Sequence, residues 1–304
     1  VECRPPAQGR QSTSALTSGR REVVNCPGAA ARPAAAASST PIRPAHMSVT
    51  DEYPKEGMVE ASVADGVGTV EFYHPKGNSL PGIILRRLAE MIAGTGARDD
   101  VRVIALRSSR EGPFCAGASF DELAAIQDER TGKEFFLGFA HVILAMIRCP
   151  KPIVTRVQGK VVGGGVGVVA ASDYVMATDK AQLRLSELAV GLGPFVVGLP
   201  IERKIGPGAF SAMALDADWR SPRWALDVGL YAQVHDSVSG LDSAFDGFVQ
   251  TLAKSNPEAT ASIKSTLWHG TDDWDRLLDA RAEMSGRLVL SDHTRRAVDA
   301  FKSR

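Results

Sequence analysis

The sequence of 304 residues is poor in cysteine, in aromatic residues and in excess charge of either sign. Its four cysteines form no CxxC pair and no metal-ligand spacing, which is typical of reduced intracellular thiols and favours neither disulfides nor a metal site. The 35 basic residues balance the 35 acidic ones, which argues against a nucleic-acid-binding protein with a broad basic surface. No run approaches the roughly 18 apolar residues of a membrane helix, so we expect no membrane partner.

The balanced charge is the sum of two unlike parts. Residues 1–46 contain six arginines and two acids, a net charge of +4, whereas the other 258 residues carry 29 bases and 33 acids, a net charge of −4. The first part also lacks aromatic residues, so it has little apolar surface to offset the entropy of ordering it. We predict a disordered leader and leave its origin open: non-native or untranslated sequence, an organelle transit peptide, or a functional tail. The expected location is the cytoplasm, or the mitochondrial matrix or another organelle if the leader is a transit peptide.

The body of the chain alternates between strand and helix patterns. Two apolar runs, 59–64 and 67–72, flank Asp65-Gly66, which predicts a β-hairpin. Helical periodicity over 81–93 and 131–147 is interleaved with further strand patterns at 101–106, 153–157 and 174–177. This alternation favours an α/β fold with parallel strands and right-handed crossovers. After Phe195 the sequence predicts only helices.

A cluster of glycines lies between a predicted strand and a predicted helix. Gly163-Gly164-Gly165-Val166-Gly167 would let the backbone approach a ligand, and the free amides of a helix start can hold a negative oxygen. Part of the cluster also fits a dinucleotide fingerprint, with Glu187 as the ribose-binding acid, although the strand before Glu187 ends too early. A purely structural glycine turn is the third interpretation.

A second strand-to-helix junction favours the first of these three interpretations, a site that holds a negative oxygen. Residues 111–119 contain Cys115-Ala116-Gly117-Ala118 and end in Ser119, which with Glu122 forms a helix-capping pattern. Two such junctions with small residues can direct two backbone amides at one point. That geometry is an oxyanion hole, which stabilises negative charge on a carbonyl oxygen.

These motifs resemble the enoyl-CoA hydratase/isomerase (crotonase) family over about residues 59–304. The matching residues are Phe114-Cys115-Ala116-Gly117-Ala118 followed by Leu123, then Lys151-Pro152-Ile153-Val154, Gln158-Gly159 and the triple glycine, with Asn78-Ser79-Leu80, Asp173, and Ser221-Pro222 through Gly229-Leu230 in support. The resemblance implies a crotonase-like ββα spiral core over 47–255 and a C-terminal helical oligomerisation region over 256–304. It also implies an acyl-CoA substrate, a homotrimer or hexamer, and no resident cofactor, because coenzyme A is part of the substrate.

The resemblance also implies roles for individual residues. The amides of Ala118 and Gly164 would form the oxyanion hole, with Glu187 as the proton-transfer residue. The positions matching the family's coenzyme A contacts are Asn78, Ser79, Leu80, Phe114, Ala116, Gly117, Gly165 and Phe301, the last of these expected near a neighbouring subunit's pocket.

The sequence departs from the hydratase pattern of this family at one catalytic position. Typical hydratases carry two glutamates, of which the first is replaced here by Gly167 and the second matches Glu187. A single carboxylate suits proton transfer from the α carbon to the γ carbon of a 3-enoyl thioester, so the pattern favours double-bond isomerisation. The alternatives are hydration, including that of branched or unsaturated acyl-CoA, and a non-catalytic acyl-CoA-binding protein.

Other reactive side chains are interpreted as structural. Cys115 lies in the oxyanion loop without a histidine nearby in sequence, so we expect it to pack and not to act as a nucleophile. His141 falls in an apolar helical run and is predicted to be packed or capped. The histidines have no ligand spacing, so no metal is expected. The four tryptophans all lie in the region after Phe195 that is predicted to be helical, which we call the helical third. They are expected in the core or in subunit contacts.

Overall fold

The computed structural model describes residues 54–109 and 111–302, with only the backbone at 301 and 302. The predicted leader, residues 1–46, lies outside the described residues. In the part of the chain that is described, no helix is both long and apolar enough to cross a membrane.

The strands form one large sheet and two small ones. The ten strands are β1 Met58–Ala64, β2 Val67–Tyr73, β3 Ser79–Leu80, β4 Val103–Ser108, β5 Gly117–Ala118, β6 Ile153–Val157, β7 Val161–Val162, β8 Tyr174–Thr178, β9 Leu183–Arg184 and β10 Gln233–His235 within residues 54–302. The large sheet has the order β1-β2-β4-β6-β8-β10, and the small sheets pair β3 with β5 and β7 with β9.

The helices surround this sheet. They are α1 Gly82–Gly96, α2 Phe120–Ala125, α3 Glu129–Arg148, α4 Gly164–Ala170, α5 Phe195–Asp216, α6 Pro222–Asp227, α7 Val238–Ala253, α8 Pro257–Leu267, α9 Trp274–Leu288 and α10 Asp292–Lys302. A short 3-10 helix at Leu188–Val190 lies between β9 and α5.

The predicted hairpin and parallel pairing are confirmed. β1 pairs antiparallel with β2 across Asp65 and Gly66, which adopt φ values of 50° and 80° as a tight two-residue turn requires. All other pairs of the large sheet are parallel. The prediction that strands stop after Phe195 is wrong, because β10 adds to the edge of the sheet beside β8. Only three residues pair there and all are half-buried, so no run or alternation marks this strand in the sequence.

Both faces of the large sheet are covered. On one face, α7 packs Leu241, Phe245 and Val249 against buried strand residues such as Val103 and Val154. The other face carries the main core, where α1 packs on α3 and on strands β1, β2 and β4. Burying the parallel strands on both sides explains their nearly continuous apolar sequence.

Two contacts attach the helical third to this core. Helices α3 and α9 cross closely where a β carbon on Gly132 would lie 2.8 Å from the Gly286 carbonyl oxygen. Lys264 of α8 forms a buried ion pair with Asp173 at 2.8 Å. The same carboxylate accepts hydrogen bonds from the Ile153 backbone and the Trp268 indole, both at 2.7 Å. Because both charges are buried, each needs the other for neutralisation.

Candidate active site

An apolar cavity of about 700 Å³ opens beside the first turn of α4 and the segment between β9 and α5. Five phenylalanines contribute to its wall: Phe120, Phe135, Phe136, Phe139 and Phe195. The polar side chains on the wall are Lys76, Ser79, Asp121, Arg184, Ser186, Glu187 and Ser285. A concave, mostly apolar wall with a few convergent polar groups is typical of a small-molecule site.

The backbone of Ala118 reaches this cavity from β5. The next residue, Ser119, donates its N–H to the Leu80 carbonyl at 3.0 Å. Since successive residues of a strand direct their N–H groups to opposite sides, the Ala118 N–H faces away from β3. The Ser79 hydroxyl donates to the Ala118 carbonyl at 2.8 Å and holds this peptide in place.

Gly164 contributes a second backbone amide at the same wall. It is the first residue of α4, so its N–H has no acceptor within the helix. A β carbon on Gly164 would lie 2.3 Å from the Phe139 ring, so only glycine fits there. A β carbon on Gly117 would lie 3.9 Å from the Gly164 nitrogen, which brings the β5 and α4 junctions side by side.

Glu187 lies beside Gly163 on the wall of the same cavity, between β9 and the 3-10 helix. A β carbon on Gly163 would lie 3.3 Å from its Oε1, and Gly163 has a left-handed φ of 52° that favours glycine. Its Oε2 is buried with no hydrogen-bond partner among the described residues. Burial raises the pKa of Glu187 to about 7, with hydrogen bonds from the Glu187 and Ser186 backbone opposing the rise. The carboxyl group can therefore both accept and donate a proton near neutral pH.

Val197 of α5 fills the space beside Gly167 of α4. A β carbon on Gly167 would lie 2.6 Å from Val197 Cγ1 and 2.7 Å from its Cβ. Both residues are buried, and Val197 lines the cavity. The structure therefore has no room for a longer side chain at 167 while Val197 keeps its position.

The outer wall of the cavity is formed by α2 and α10. Lys76 and Asp121 form an exposed ion pair there. Ala297 and Ala300 of α10 line the cavity of this same chain. The Thr294 hydroxyl donates to the Gly191 carbonyl at 2.9 Å and connects α10 to the segment that carries Glu187.

A second concavity, of about 900 Å³, lies at the carboxyl ends of β2, β4 and β6. This polar groove is lined by Glu71, Arg107, Ser108, Ser109, Glu111, Gly112, Pro113, Arg156, Gln158, Gly159, Lys160, Lys180, Val238, Asp242 and Asp246. Arg107 Nε and the Ser109 hydroxyl both donate to the Glu71 carboxylate at 2.5 Å. Arg156 Nε donates to Asp242 at 2.5 Å. Much of the groove's charge is thus already paired within the protein.

The family model described as "Enoyl-CoA hydratase/isomerase" matches residues 62–304. The chain belongs to the enoyl-CoA hydratase/isomerase family. The crystal structure of an enoyl-CoA hydratase from Bacillus halodurans superimposes with a TM-score of 0.74 at 20% identity, covering 80% of this chain and 99% of that one. The predicted fold class, a crotonase-like α/β core with C-terminal helices, is therefore confirmed.

Two relatives show the chemical range of similar proteins. A (7aS)-7a-methyl-1,5-dioxo-2,3,5,6,7,7a-hexahydro-1H-indene-carboxyl-CoA hydrolase from Rhodococcus jostii is 31% identical over 135 residues, 44% of this chain and only 52% of the relative. A trans-2-decenoyl-[acyl-carrier-protein] isomerase from Streptococcus mutans is 23% identical over 249 residues, 79% of this chain and 93% of the relative. The family is thus established, whereas identities this low leave the specific reaction to the site itself.

The residues matching the family's coenzyme A contacts divide into two groups in the structure. Ser79, Ala116 and Gly117 line the apolar cavity. The others lie behind its wall: Leu80 and Phe114 are fully buried, Asn78 is 4% exposed, and Gly165 is buried. Phe301 belongs to α10, and its side chain lies outside the described residues.

Asn78 lies behind the cavity wall and hydrogen-bonds to the turn between β2 and β3 and to the loop between β4 and β5. It has a left-handed φ of 57°. Its Oδ1 accepts from the His74 backbone N–H at 2.8 Å, and its Nδ2 donates to the Pro113 carbonyl at 3.0 Å. These contacts support the segment leading into the Ala118 strand.

Of the two side chains that were predicted to be structural, Cys115 packs in the core as expected and His141 does not. Cys115 is fully buried, and burial raises the pKa of its thiol to about 12, so it stays protonated and packs as predicted. The prediction that His141 is packed or capped is wrong, because its side chain is exposed on α3. Its apolar sequence neighbours Ala140 and Val142 are buried, but the helical turn carries His141 to the outer face.

Sequence reasoning missed several cavity residues that the fold brings together. The phenylalanines at 135, 136 and 139 have i, i+1 and i+4 spacing, which could have indicated one apolar face of α3. Val197 and Arg184 had no such signal. Their positions depend on how α5 packs on α4 and on the pairing of β9 with β7.

Proposed function

We propose that this protein catalyses double-bond isomerisation in an enoyl-CoA thioester, with Glu187 as the single proton-transfer residue. The observation that carries the proposal is one buried carboxylate, with a pKa raised to about 7, on the wall of the same apolar cavity as Ala118 and Gly164. The filled space between Gly167 and Val197 supports a mechanism without a second carboxylate at that position.

The proposed reaction conserves every atom of the substrate. The Glu187 carboxylate removes a proton from the α carbon of a 3-enoyl thioester, and the released electron pair delocalises into a dienolate. The negative charge on the thioester oxygen is stabilised by the amides of Ala118 and Gly164. The Glu187 carboxyl group then returns the proton to the γ carbon, which forms the 2-enoyl thioester and regenerates the carboxylate.

The raised pKa of Glu187 suits both halves of this reaction. A base with a pKa near the working pH is ionised often enough to accept a proton and, once protonated, acidic enough to return it. The cavity provides the desolvation that raises the pKa, since its wall near Glu187 is mostly apolar. The similarity to the Streptococcus mutans isomerase supports this chemistry.

Hydration of a 2-enoyl-CoA is the second candidate. It is favoured by Ser186, whose Oγ would lie 3.6 Å from a β carbon on Gly163 and thus close to Glu187. A hydroxyl there could hold a water molecule for addition to the double bond. The isomerase proposal is preferred because it uses the single carboxylate alone.

The coenzyme A portion is proposed to bind along Ser79, Ala116 and Gly117, which lead from the two amides toward the Lys76–Asp121 side of the cavity. We also propose that the protein assembles as a trimer or hexamer, as the family resemblance implies. Light scattering of the full chain in solution tests the assembly.

Separate incubations with a 3-enoyl-CoA and with a 2-enoyl-CoA test the function. We expect the 3-enoyl-CoA to become the conjugated 2-enoyl-CoA, which is followed by its ultraviolet absorbance and by deuterium incorporation from D₂O. Glu187→Gln should abolish the conversion, while Glu71→Gln in the polar groove should retain it. Water addition to the 2-enoyl-CoA with an untouched 3-enoyl-CoA would identify a hydratase, and tight binding without turnover would identify a binding protein.

A further inference from the structure

Arg184 is a cation on the wall of the apolar cavity, and its Nε has no partner among the described residues. Its Nε is buried and makes no hydrogen bond, and none of the ion pairs in the described part of the chain includes it. Buried polar groups in proteins are nearly always paired, and an unpaired buried donor is destabilising. This group therefore requires an explanation that the packing of the chain does not supply.

The strand β9 directs Arg184 into the cavity. Its neighbours Leu183 and Leu185 are 0% and 1% exposed in the core. Because side chains alternate along an extended segment, Arg184 and Ser186 share the opposite face, and both line the cavity. Ser186 in turn precedes Glu187, so the guanidinium projects from the same segment as the proposed proton-transfer residue.

We propose that Arg184 binds a carboxylate on the acyl group of the substrate, so that the preferred substrate is the coenzyme A monothioester of a dicarboxylic acid. The proposal rests on the acyl-CoA function proposed above. A guanidinium matches a carboxylate in shape, because its N–H groups form two parallel hydrogen bonds to the two oxygens. An anion in this place would satisfy the buried Nε donor, which has no partner among the described residues.

The position of Arg184 favours the acyl carboxylate over the phosphates of coenzyme A. The phosphates are separated from the thioester by the whole pantetheine arm. Arg184 instead lies only three residues before Glu187, the group proposed to act on the carbons next to the thioester. Lys76, at the outer wall, is the cation better placed for the phosphate end.

Binding of unreactive saturated thioesters tests this inference without relying on turnover. Calorimetry would compare succinyl-, glutaryl- and adipyl-CoA with butanoyl-, pentanoyl- and hexanoyl-CoA, which match them in chain length. We expect wild-type protein to bind at least one dicarboxylic ester about tenfold or more tightly than its uncharged counterpart, as expected for a charged hydrogen bond. Arg184→Gln should remove this preference and leave the uncharged esters unchanged, while Arg184→Lys should keep part of it.

The control variant is Arg223→Gln, which changes an exposed arginine of α6 that pairs with Asp227 outside the cavity. It should bind every ester as wild type does. The pantetheine thioesters of the same acids, which lack the nucleotide, identify the source of the anion. If Arg184→Gln weakens all coenzyme A esters equally but none of the pantetheine esters, the guanidinium binds phosphate and the proposal is wrong.

Three further outcomes would overturn the proposal. Wild-type protein with no preference for any dicarboxylic ester would do so whether or not Arg184→Gln folds. Equal affinity profiles for wild type and Arg184→Gln would assign the arginine no role in binding. Loss of assembly in Arg184→Gln, seen by light scattering, would place the residue in a subunit contact. Failure of the proposed function is separate from all three, since it would appear as an unchanged 3-enoyl-CoA in the turnover assay, whatever the binding preference, or as no binding of any acyl-CoA.

Discussion

The apolar cavity and the polar groove are similar in size but opposite in the state of their polar groups. The groove, about 900 Å³, is the larger, yet Glu71, Arg107 and Arg156 on its wall are hydrogen-bonded to other side chains of the protein. The cavity, about 700 Å³, holds two buried polar atoms, on Arg184 and Glu187, that have no hydrogen-bond partner within the described ranges 54–109 and 111–302. Unsatisfied polar atoms within apolar surroundings therefore indicate the reactive site better than volume does.

The largest expected effect comes from removing the proton-transfer group of the cavity. Glu187→Gln keeps the size of the side chain but cannot accept a proton, so we expect kcat to fall by about 10²–10⁴-fold. Steady-state kinetics with a 3-enoyl-CoA measures the loss. Glu71→Gln, the matched change in the polar groove, should keep nearly full activity. Comparable losses in both variants would contradict the distinction between the two concavities.

Gly164→Ala should be the next most damaging change. The added carbon would lie 2.3 Å from the Phe139 ring, so the ring or the first turn of α4 must shift, and a shift of that turn misplaces the amide. We expect about 10²–10³-fold lower kcat and a loss of about 1–3 kcal/mol in unfolding free energy. The control is Gly94→Ala in α1, where a β carbon meets nothing within 4 Å. Unchanged kcat in Gly164→Ala would remove this amide from the oxyanion hole.

Adding a second carboxylate should require two substitutions. Gly167→Glu alone collides with Val197, so we expect it to destabilise the protein by about 1–3 kcal/mol without adding hydratase activity. Gly167→Glu combined with Val197→Gly should recover stability and hydrate a 2-enoyl-CoA measurably. Gly247→Glu, at an open helical site, serves as the stability control. Hydration by the single variant would show that Val197 does not block the position.

The raised pKa of Glu187 predicts opposite pH trends for activity and stability. Because the carboxylate is the base, kcat/KM should rise with pH through about 7. The folded-state pKa of Glu187 lies above the ordinary value of 4.5. The stability that this group contributes is therefore fully present below pH 4.5 and is lost as the pH rises through about 7. The melting temperature of Glu187→Gln relative to wild type should therefore increase over this range. Parallel pH profiles for the two proteins would contradict the assigned pKa.

The smallest effect is expected in the polar groove. Arg107 and Glu71 are paired at 2.5 Å, but the Arg107 side chain is 44% exposed, and such pairs contribute little. Arg107→Gln should change the unfolding free energy by less than about 1 kcal/mol and leave kcat unchanged. Urea denaturation and the enoyl-CoA assay measure the two quantities. A large loss of activity would assign the groove a function that its internal pairing does not indicate.

Local sequence signals predicted the elements that local chemistry determines. Asp65-Gly66 marks a turn because glycine tolerates a positive φ, and Ser119 accepts the Glu122 N–H as an N-cap at 3.3 Å. The capping pattern was only half correct, because the Glu122 carboxylate accepts instead from the Gly82 N–H at 2.8 Å. That contact joins two helices 40 residues apart in sequence, which no local pattern contains.

The residues of the candidate site also divide into those that local motifs indicate and those that only long-range packing brings together. Glu187, Ala118 and Gly164 could be assigned because the family motifs surround them, and all three line the apolar cavity. Val197 and Arg184 could not, since their roles depend on the register of β9 and on the approach of α5 to α4. Long-range packing determines these contacts, and a single sequence does not encode it in any fixed spacing.

The buried pair of Asp173 and Lys264 has a consequence for how the chain is synthesised. Asp173 caps the start of a central strand through the Ile153 N–H, but its ion-pair partner Lys264 lies in α8, much later in the chain. A chain still being translated therefore carries an uncompensated carboxylate in its unfinished core until α8 has left the ribosome. We therefore expect the core around Asp173 to be completed only when α8 has been synthesised, and a nascent chain lacking that helix to be a natural substrate for chaperones.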